Sequence, residues 1–339
     1  MPAVLACLAA ALLFGLTVPA TKAMTESAGP LVIAGLLYLG AALGALPWAK
    51  RQPGQSLRPP RKEWARLGGA VLFGGVLGPA ALVTAMGWAS GTSVSLWLNL
   101  ETVATAVLAV AFFKEHLSKW EWLACFGVLG GGALLAAQDG FSAVPAAALV
   151  AVACVCWGLD NNLTATIDRF TPAQSTLAKG LVAGSVNLGL GLALNQELPT
   201  WNGVAFLLGV GAVGYGISLV LYIQGAQELG ATRSQLLFST APFLGAIASI
   251  LFLNEAMLWQ HIAAGGVLIA SLLLLFSQHH SHSHSHLPLK HTHLHEHEDG
   301  HHSHTHEPAV AGWHSHAHEH APIEHEHAHR PDLHHRHEH

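Results

Sequence analysis

The chain has 339 residues, of which 51% are hydrophobic and only 10% charged, against roughly a quarter charged in an ordinary soluble domain. So little polar surface excludes a water-soluble globular protein. The net charge of −5 belongs to one end: residues 1–277 hold 12 Lys/Arg against 11 Asp/Glu, residues 278–339 hold 3 against 9, and 24 of the 26 histidines lie between His279 and His339.

In chain order, the first segment, MPAVLACLAAALLFG, has no basic region before its apolar run and reads as a retained membrane helix rather than a cleaved signal peptide. A helix rising about 1.5 Å per residue needs roughly 20 apolar residues to cross a hydrocarbon core. Ten stretches come near that length, at 3–21, 31–48, 67–86, 91–112, 120–137, 145–165, 172–194, 202–224, 233–254 and 258–277. They predict an all-α membrane protein of ten transmembrane helices. Cys7, Cys125, Cys154 and Cys156 all fall in these stretches, where a thiol behaves as a small hydrophobe, and imply neither a disulfide framework nor a metal site.

Lysine and arginine placement predicts the orientation. With the N-terminus in the cytoplasm, Lys50, Arg51, Arg58, Arg61, Lys62, Arg66, Lys114, Lys119, Arg169 and Arg233 all lie inside and only Lys22 lies outside. An even number of spans then returns the tail to the cytoplasm, and the protein is expected in the inner membrane.

The two halves resemble each other at a shift of about 140 residues. Leu13-Phe14-Gly15-Leu16-Thr17 meets Cys156-Trp157-Gly158-Leu159-Asp160, and Phe113-Lys114-Glu115 meets Leu253-Asn254-Glu255. Five helices are an odd number, so the second copy enters the bilayer from the opposite side and the halves form an inverted repeat, a pattern characteristic of secondary transporters. Duplication that serves packing alone is the competing reading. The expected units are 1–137, 145–277 and the tail 278–339.

LLFGLTVPATKAM, SLWLNLETVATAVLAVAFFKEHLS and LLFSTAPFLGAIASILFLNE resemble the drug/metabolite transporter superfamily, specifically its EamA-type members with two five-helix repeats. The resemblance covers residues 1–277 and implies ten helices and export or exchange of small solutes, often amino acids or other metabolites. Where such segments often carry proline in the fourth helix this chain has Glu101-Thr102, although the ninth keeps Pro242.

A charge at the centre of a membrane helix costs about 2.5–3.5 kcal/mol on translocon scales and normally faces a protein interior or a watery path. Glu101, Asp160 and Lys179 are the three candidates. Asp160 and Lys179 lie at depths of roughly 8 and 11 Å from the same side, level enough to pair if their faces meet, either as a structural tie or as part of a gate. Glu101 has no charge partner at its depth and is the first candidate for proton coupling or for a cationic group of the cargo, with a hydrogen-bonded structural acid as the alternative. Asn99, Asn161 and Asn162 flank these acids and offer hydrogen bonds to solute or to a neighbouring helix, the latter being the commoner use. Trp97 and Tyr215 are weaker candidates, with packing the commoner fate.

Gly209-Val210-Gly211-Ala212-Val213-Gly214 matches a dinucleotide-binding pattern, but it lies inside an apolar helix with no preceding strand, where glycine serves close helix approach. No phosphate-binding loop, HExxH or GxSxG occurs, so no enzyme activity, required cofactor or nucleic-acid partner is expected. The expected partners are the lipid bilayer and a small solute.

The tail cannot bury a core, and its polar, proline-punctuated composition predicts disorder. Neutral imidazole binds Zn²⁺, Ni²⁺ and Co²⁺, and the runs holding His282, His284, His286, His293, His295, His297, His316, His318, His320, His325, His327 and His329 are candidate ligands, serving either as a metal-gathering or metal-sensing element or as a pH-responsive one. Three functions compete: a transporter exporting an organic solute, an exporter of Ni²⁺, Co²⁺ or Zn²⁺ fed by the tail, and a non-transporting anchor for a metal-binding tail.

Overall fold

The computed structural model describes residues 3–49, 59–113, 117–138, 143–164, 167, 169–229 and 237–277, together with the backbone of 280–285, 289–295, 314–320 and 324–329. Lys50, Arg51, Arg58, Lys114, Glu115 and Arg233, and the candidate ligands His286 and His297, lie outside the described residues.

The body is helical: α1 (Ala3–Gly15), α2 (Thr17–Lys22), α3 (Pro30–Ala45), α4 (Arg61–Ala70), α5 (Gly78–Met86), α6 (Gly91–Trp97), α7 (Leu100–Phe113), α8 (Lys119–Gln138), α9 (Val144–Thr164), α10 (Pro172–Ala193), α11 (Trp201–Gly211), α12 (Ser218–Leu229), α13 (Ala241–Leu253) and α14 (Trp259–Ser277). Among the described residues, seven helical stretches are long and apolar enough to cross a membrane. Three shorter apolar helices, Pro30–Ala45, Ala241–Leu253 and Trp259–Leu275, fall on the other three expected spans. Seven tryptophans with large exposure, Trp48, Trp64, Trp88, Trp120, Trp122, Trp201 and Trp259, sit at or near helix ends, the level at which indole rings favour a membrane–water interface.

Local chemistry sets the ends. Thr171 starts α10 with a full capping box, its hydroxyl accepting from the Gln174 N–H while the Gln174 side chain accepts from the Thr171 N–H. Asn195 and Asn254 stop α10 and α13 in the left-handed conformation, which asparagine tolerates better than most residues.

The core is built on α3, which packs against α10 on one side and against α11 and the segment after it on the other. Apolar side chains gain little by leaving lipid, so membrane helices associate through close backbone approach at small residues. A Cβ added at Gly180 would lie 2.7 Å from the Ala42 nitrogen and the Tyr38 carbonyl oxygen, and one at Gly184 would lie 2.7 Å from the Leu39 nitrogen. Gly180 and Gly184, one turn apart, thus let α10 lie directly on the α3 backbone. Gly40 and Gly211 do the same between α3 and α11, and Gly44 does so between α3 and the π segment that follows α11.

Two irregularities recur in both halves. The third span turns π-helical at Val71–Leu77 between α4 and α5, and the eighth does so at Ala212–Ile217 between α11 and α12. The repeat shift of 140 carries 71–77 onto 211–217. The fourth span is also broken, at Leu98–Asn99 between α6 and α7, with turn-type bonds from Asn99 N–H to the Leu96 carbonyl and from Glu101 N–H to the Leu98 carbonyl. The ninth breaks at Ser239–Thr240 before α13. The spans expected over 67–86, 91–112 and 202–224 thus run through as helical stretches that include non-α turns, with glycines 74, 75, 214 and 216 in the π segments, and in the ninth span Pro242 at the start of α13 withholds a helical N–H.

In the tail, the described backbone is extended and paired. Residues His280–Ser285 pair antiparallel with Glu324–His329, and Leu289–His295 pair with His314–His320. The reason is visible in the sequence: histidine alternates with Ser, Thr, Ala, Leu or Glu at period two, the period of a strand.

Gly180→Leu is predicted to overpack the α3–α10 contact and lower stability by about 1–3 kcal/mol, measured as a lowered unfolding temperature of the detergent-solubilised protein, whereas Gly189→Leu, where an added Cβ meets nothing within 4 Å, is predicted to leave it near the parent value.

Candidate functional site

The polar residues of the bilayer interior converge around α7, α9 and α10. Glu101 stands in the first turn of α7, immediately after the break, and its Oε1 accepts a hydrogen bond from Asn161 Nδ2 at 2.9 Å. The same amide reaches Thr105 Oγ1 at 3.3 Å. Asn162, the next residue of α9, donates to the Thr105 carbonyl at 3.2 Å and to the Gly158 carbonyl at 2.8 Å. Asn162 thus ties α9 to α7 as interhelical hydrogen bonding requires, while Asn161 is exposed and presents its amide beside the Glu101 carboxylate.

Asp160, which immediately precedes Asn161 in α9, is buried and paired. Lys179 of α10 donates to both of its oxygens, at 2.6 and 2.8 Å, and Thr164 Oγ1 donates to Oδ1 at 2.8 Å. Lys179 Nζ also reaches Thr164 Oγ1 at 3.3 Å. The faces of α9 and α10 therefore meet at the level that their depths predicted. The carboxylate has room because Gly74 of the first π segment lies against it, and a Cβ there would occupy the same space as the Asp160 side chain.

That π segment is braced by side chains from neighbouring helices. The Gly74 carbonyl accepts from the Tyr38 hydroxyl and from Trp157 Nε1 at 3.0 Å, and Asn187 Nδ2 donates to the Gly75 and Val76 carbonyls at 3.1 and 3.3 Å. Freed backbone carbonyls in hydrocarbon require such partners. The second π segment carries Tyr215, whose ring meets Phe14 edge-on at 5.5 Å and Tyr38 at 5.8 Å between centroids. The centre of the bundle thus has two carboxylates, one ammonium and a wall of aromatic rings. Glu101 has no cationic partner among the described residues.

Asn99 does not join this group. It is buried, and its amide donates to the Leu96 carbonyl of its own chain segment at 2.9 Å, closing the turn at the helix break. Trp97 is buried against α8, with Nε1 donating to the Gly132 carbonyl at 3.1 Å. Tyr38, Trp157 and Asn187 were not singled out from the sequence. The signal available for them was a polar tip in an otherwise apolar helix, opposite a glycine pair recurring at the repeat spacing.

The arrangement is that of a polytopic membrane bundle with two structurally matching halves and a polar centre. The sequence profile of the EamA-like transporter family matches residues 1–137 and 144–277, and the chain belongs to that family. It is similar to an uncharacterized transporter of the archaeon Methanothermobacter thermautotrophicus, 25% identical over 290 residues that cover 79% of this chain and 84% of the relative. It is also similar to the uncharacterized transporter YyaM of Bacillus subtilis, 23% identical over 57% of this chain and 68% of that protein. A solved crystal structure with 18% identity superposes with a TM-score of 0.60 over 80% of this chain and 97% of its own, a likeness of fold alone.

Lys179→Met leaves the Asp160 carboxylate buried without its partner and is predicted to destabilise the protein by about 3 kcal/mol. Adding Asp160→Asn is predicted to recover most of that loss in thermal unfolding. A double variant no more stable than Lys179→Met alone contradicts the pairing.

Proposed function

We propose that the protein is a secondary transporter that exports a small organic solute carrying a protonated amine, such as an amino acid or a related metabolite. The observation that carries the reading is Glu101: a carboxylate at a helix break, hydrogen-bonded by Asn161 but matched by no cation among the described residues. Broken membrane helices place backbone and side-chain dipoles at solute sites in transporters with inverted repeats, and a carboxyl group within a membrane span that lacks a cation partner favours a cationic cargo. Asn161 supplies the adjoining amide, and the Asp160–Lys179 pair lines the neighbouring wall.

The fuller arrangement belongs to the same proposal: ten spans in two inverted five-helix repeats, both termini in the cytoplasm, residence in the inner membrane, and a His-rich tail through which transport responds to metal or pH. Where the tail strands pair, the register sets His280, His282 and His284 opposite His329, His327 and His325. This register of histidine positions supports binding of Zn²⁺, Ni²⁺ or Co²⁺ by the tail. Passage of metal through the body is the second reading. It is disfavoured because among the described residues no three His, Cys, Asp or Glu side chains come together as a metal site.

Reconstituted protein is predicted to drive counterflow of a labelled amine-bearing solute from an amino-acid and amine mixture, with Glu101→Gln lowering the rate at least about tenfold, the effect of losing one charge-assisted contact. Flux that survives Glu101→Gln unchanged contradicts the assignment of the site, and uptake of ⁶³Ni or ⁶⁵Zn lost in that variant favours the metal reading.

A chain ending at Gln278 is predicted to keep its basal flux and to lose the change that Ni²⁺ produces at pH 7.5. Imidazole with an ordinary pKa near 6.5 binds metal in its neutral form, so in the full chain the Ni²⁺ effect is present above that value and fades toward pH 5.5. Identical Ni²⁺ responses with and without the tail contradict its regulatory role.

A further inference from the structure

We propose that Glu255 is the latch of a gate, holding one end of the transport path shut in this conformation by capping the first turn of α6. This rests on the transporter reading but not on the identity of the cargo. Asn254, at φ 54°, ends α13 and turns the chain so that the next residue reaches across to the other repeat. Glu255 Oε1 accepts from the Gly91 N–H at 2.6 Å, and Oε2 accepts from the Thr92 N–H at 2.8 Å and the Thr92 hydroxyl at 2.6 Å. These are charge-assisted bonds to N–H groups that a helix start leaves without partners, and the carboxylate also meets the positive end of the helix.

Beneath the latch, the helices it joins touch without a gap. A Cβ at Gly91 would lie 2.7 Å from Ser249 Oγ, and one at Gly245 would lie 2.8 Å from Ser95 Oγ and 2.9 Å from the Gly15 carbonyl oxygen. Ser95 and Ser249 are fully buried in this seam. Small residues from α1, α6 and α13 therefore seal this end of the bundle.

The seal stops at the helix break. Packing on α13 belongs to α6, whereas α7, beyond Leu98–Asn99, packs on α9, where Asn161 is exposed. The molecule is tightly packed at the Glu255 end, whereas Asn161 beside Glu101 is exposed. For cargo to leave through the closed end, α6 and α13 must part, and parting them breaks the three bonds to Glu255 together. Their strength sets how much of the time this end stays closed.

Ser95→Cys places a reporter thiol inside the seam, and an impermeant maleimide applied to each face of vesicles in turn reads its exposure, whichever way the protein is inserted. The expected result is slow labelling with Glu255 present and labelling about tenfold faster with Glu255→Gln, from the face on which the latch lies. Thr92→Val is expected to give a smaller increase by removing one of the three donors. A bridge made by a short bifunctional thiosulfonate across Thr92→Cys and Glu255→Cys is expected to return labelling to the slow rate, which also shows that the altered protein is folded. Labelling unchanged by Glu255→Gln, or fast labelling that persists in the bridged protein, overturns the proposal. No cargo enters the labelling measurement, so its failure is distinct from failure of the transport assignment.

Discussion

A lipid bilayer offers helices no hydrophobic reason to associate and no water to satisfy a stray polar group, and these two deprivations organise the whole molecule. The first is met by glycine: α3 is clasped because Gly180 and Gly184 from one side and Gly211 from the other bring backbones into contact. The second decides which irregularities the bundle tolerates. The π turn at Val71–Leu77 frees carbonyls that lipid could not satisfy, and Tyr38, Trp157 and Asn187 take them up from three different helices. The irregular backbone is therefore cross-braced and lies in the interior, where it makes room for Asp160.

The same rule separates the two acids. Asp160 receives three hydrogen bonds, two of them from an ammonium, and so is neutralised where it stands. Glu101 receives one bond from a neutral amide, on the side of the bundle where Asn161 is exposed. One carboxylate is finished as a structural element, and the other is left with capacity for a further partner. Its position just after the break in the fourth span puts that capacity where two half-helices meet, next to the tightly packed α6–α13 seam.

Much of this was legible in the sequence. Apolar length placed the helices, the match of Leu13–Thr17 with Cys156–Asp160 exposed the repeat, and counting depth along α9 and α10 put Asp160 and Lys179 level. Hydropathy could not show the broken and π-helical turns, because a helix interrupted by two residues has the same composition as one that is not. Asn99 illustrates the cost: read as a flanking polar residue, it serves the turn that the break requires. Glu255 was noticed only as a repeat landmark, since reaching Gly91 depends on a left-handed residue, Asn254, whose conformation no composition argument supplies. In the tail, the period-two spacing of histidine agrees with the pairing of the described segments.

The central claim is that one site, at Glu101 and Asn161, faces alternate sides of the membrane. Its most direct measurement is the reactivity of a thiol introduced by Asn161→Cys toward an impermeant reagent applied separately to each face of oriented vesicles, with and without an amine-bearing solute gradient. The account predicts labelling from both faces, in proportions that shift with the gradient, and suppression of both by saturating solute. Labelling from one face only, indifferent to solute under every gradient, would contradict it.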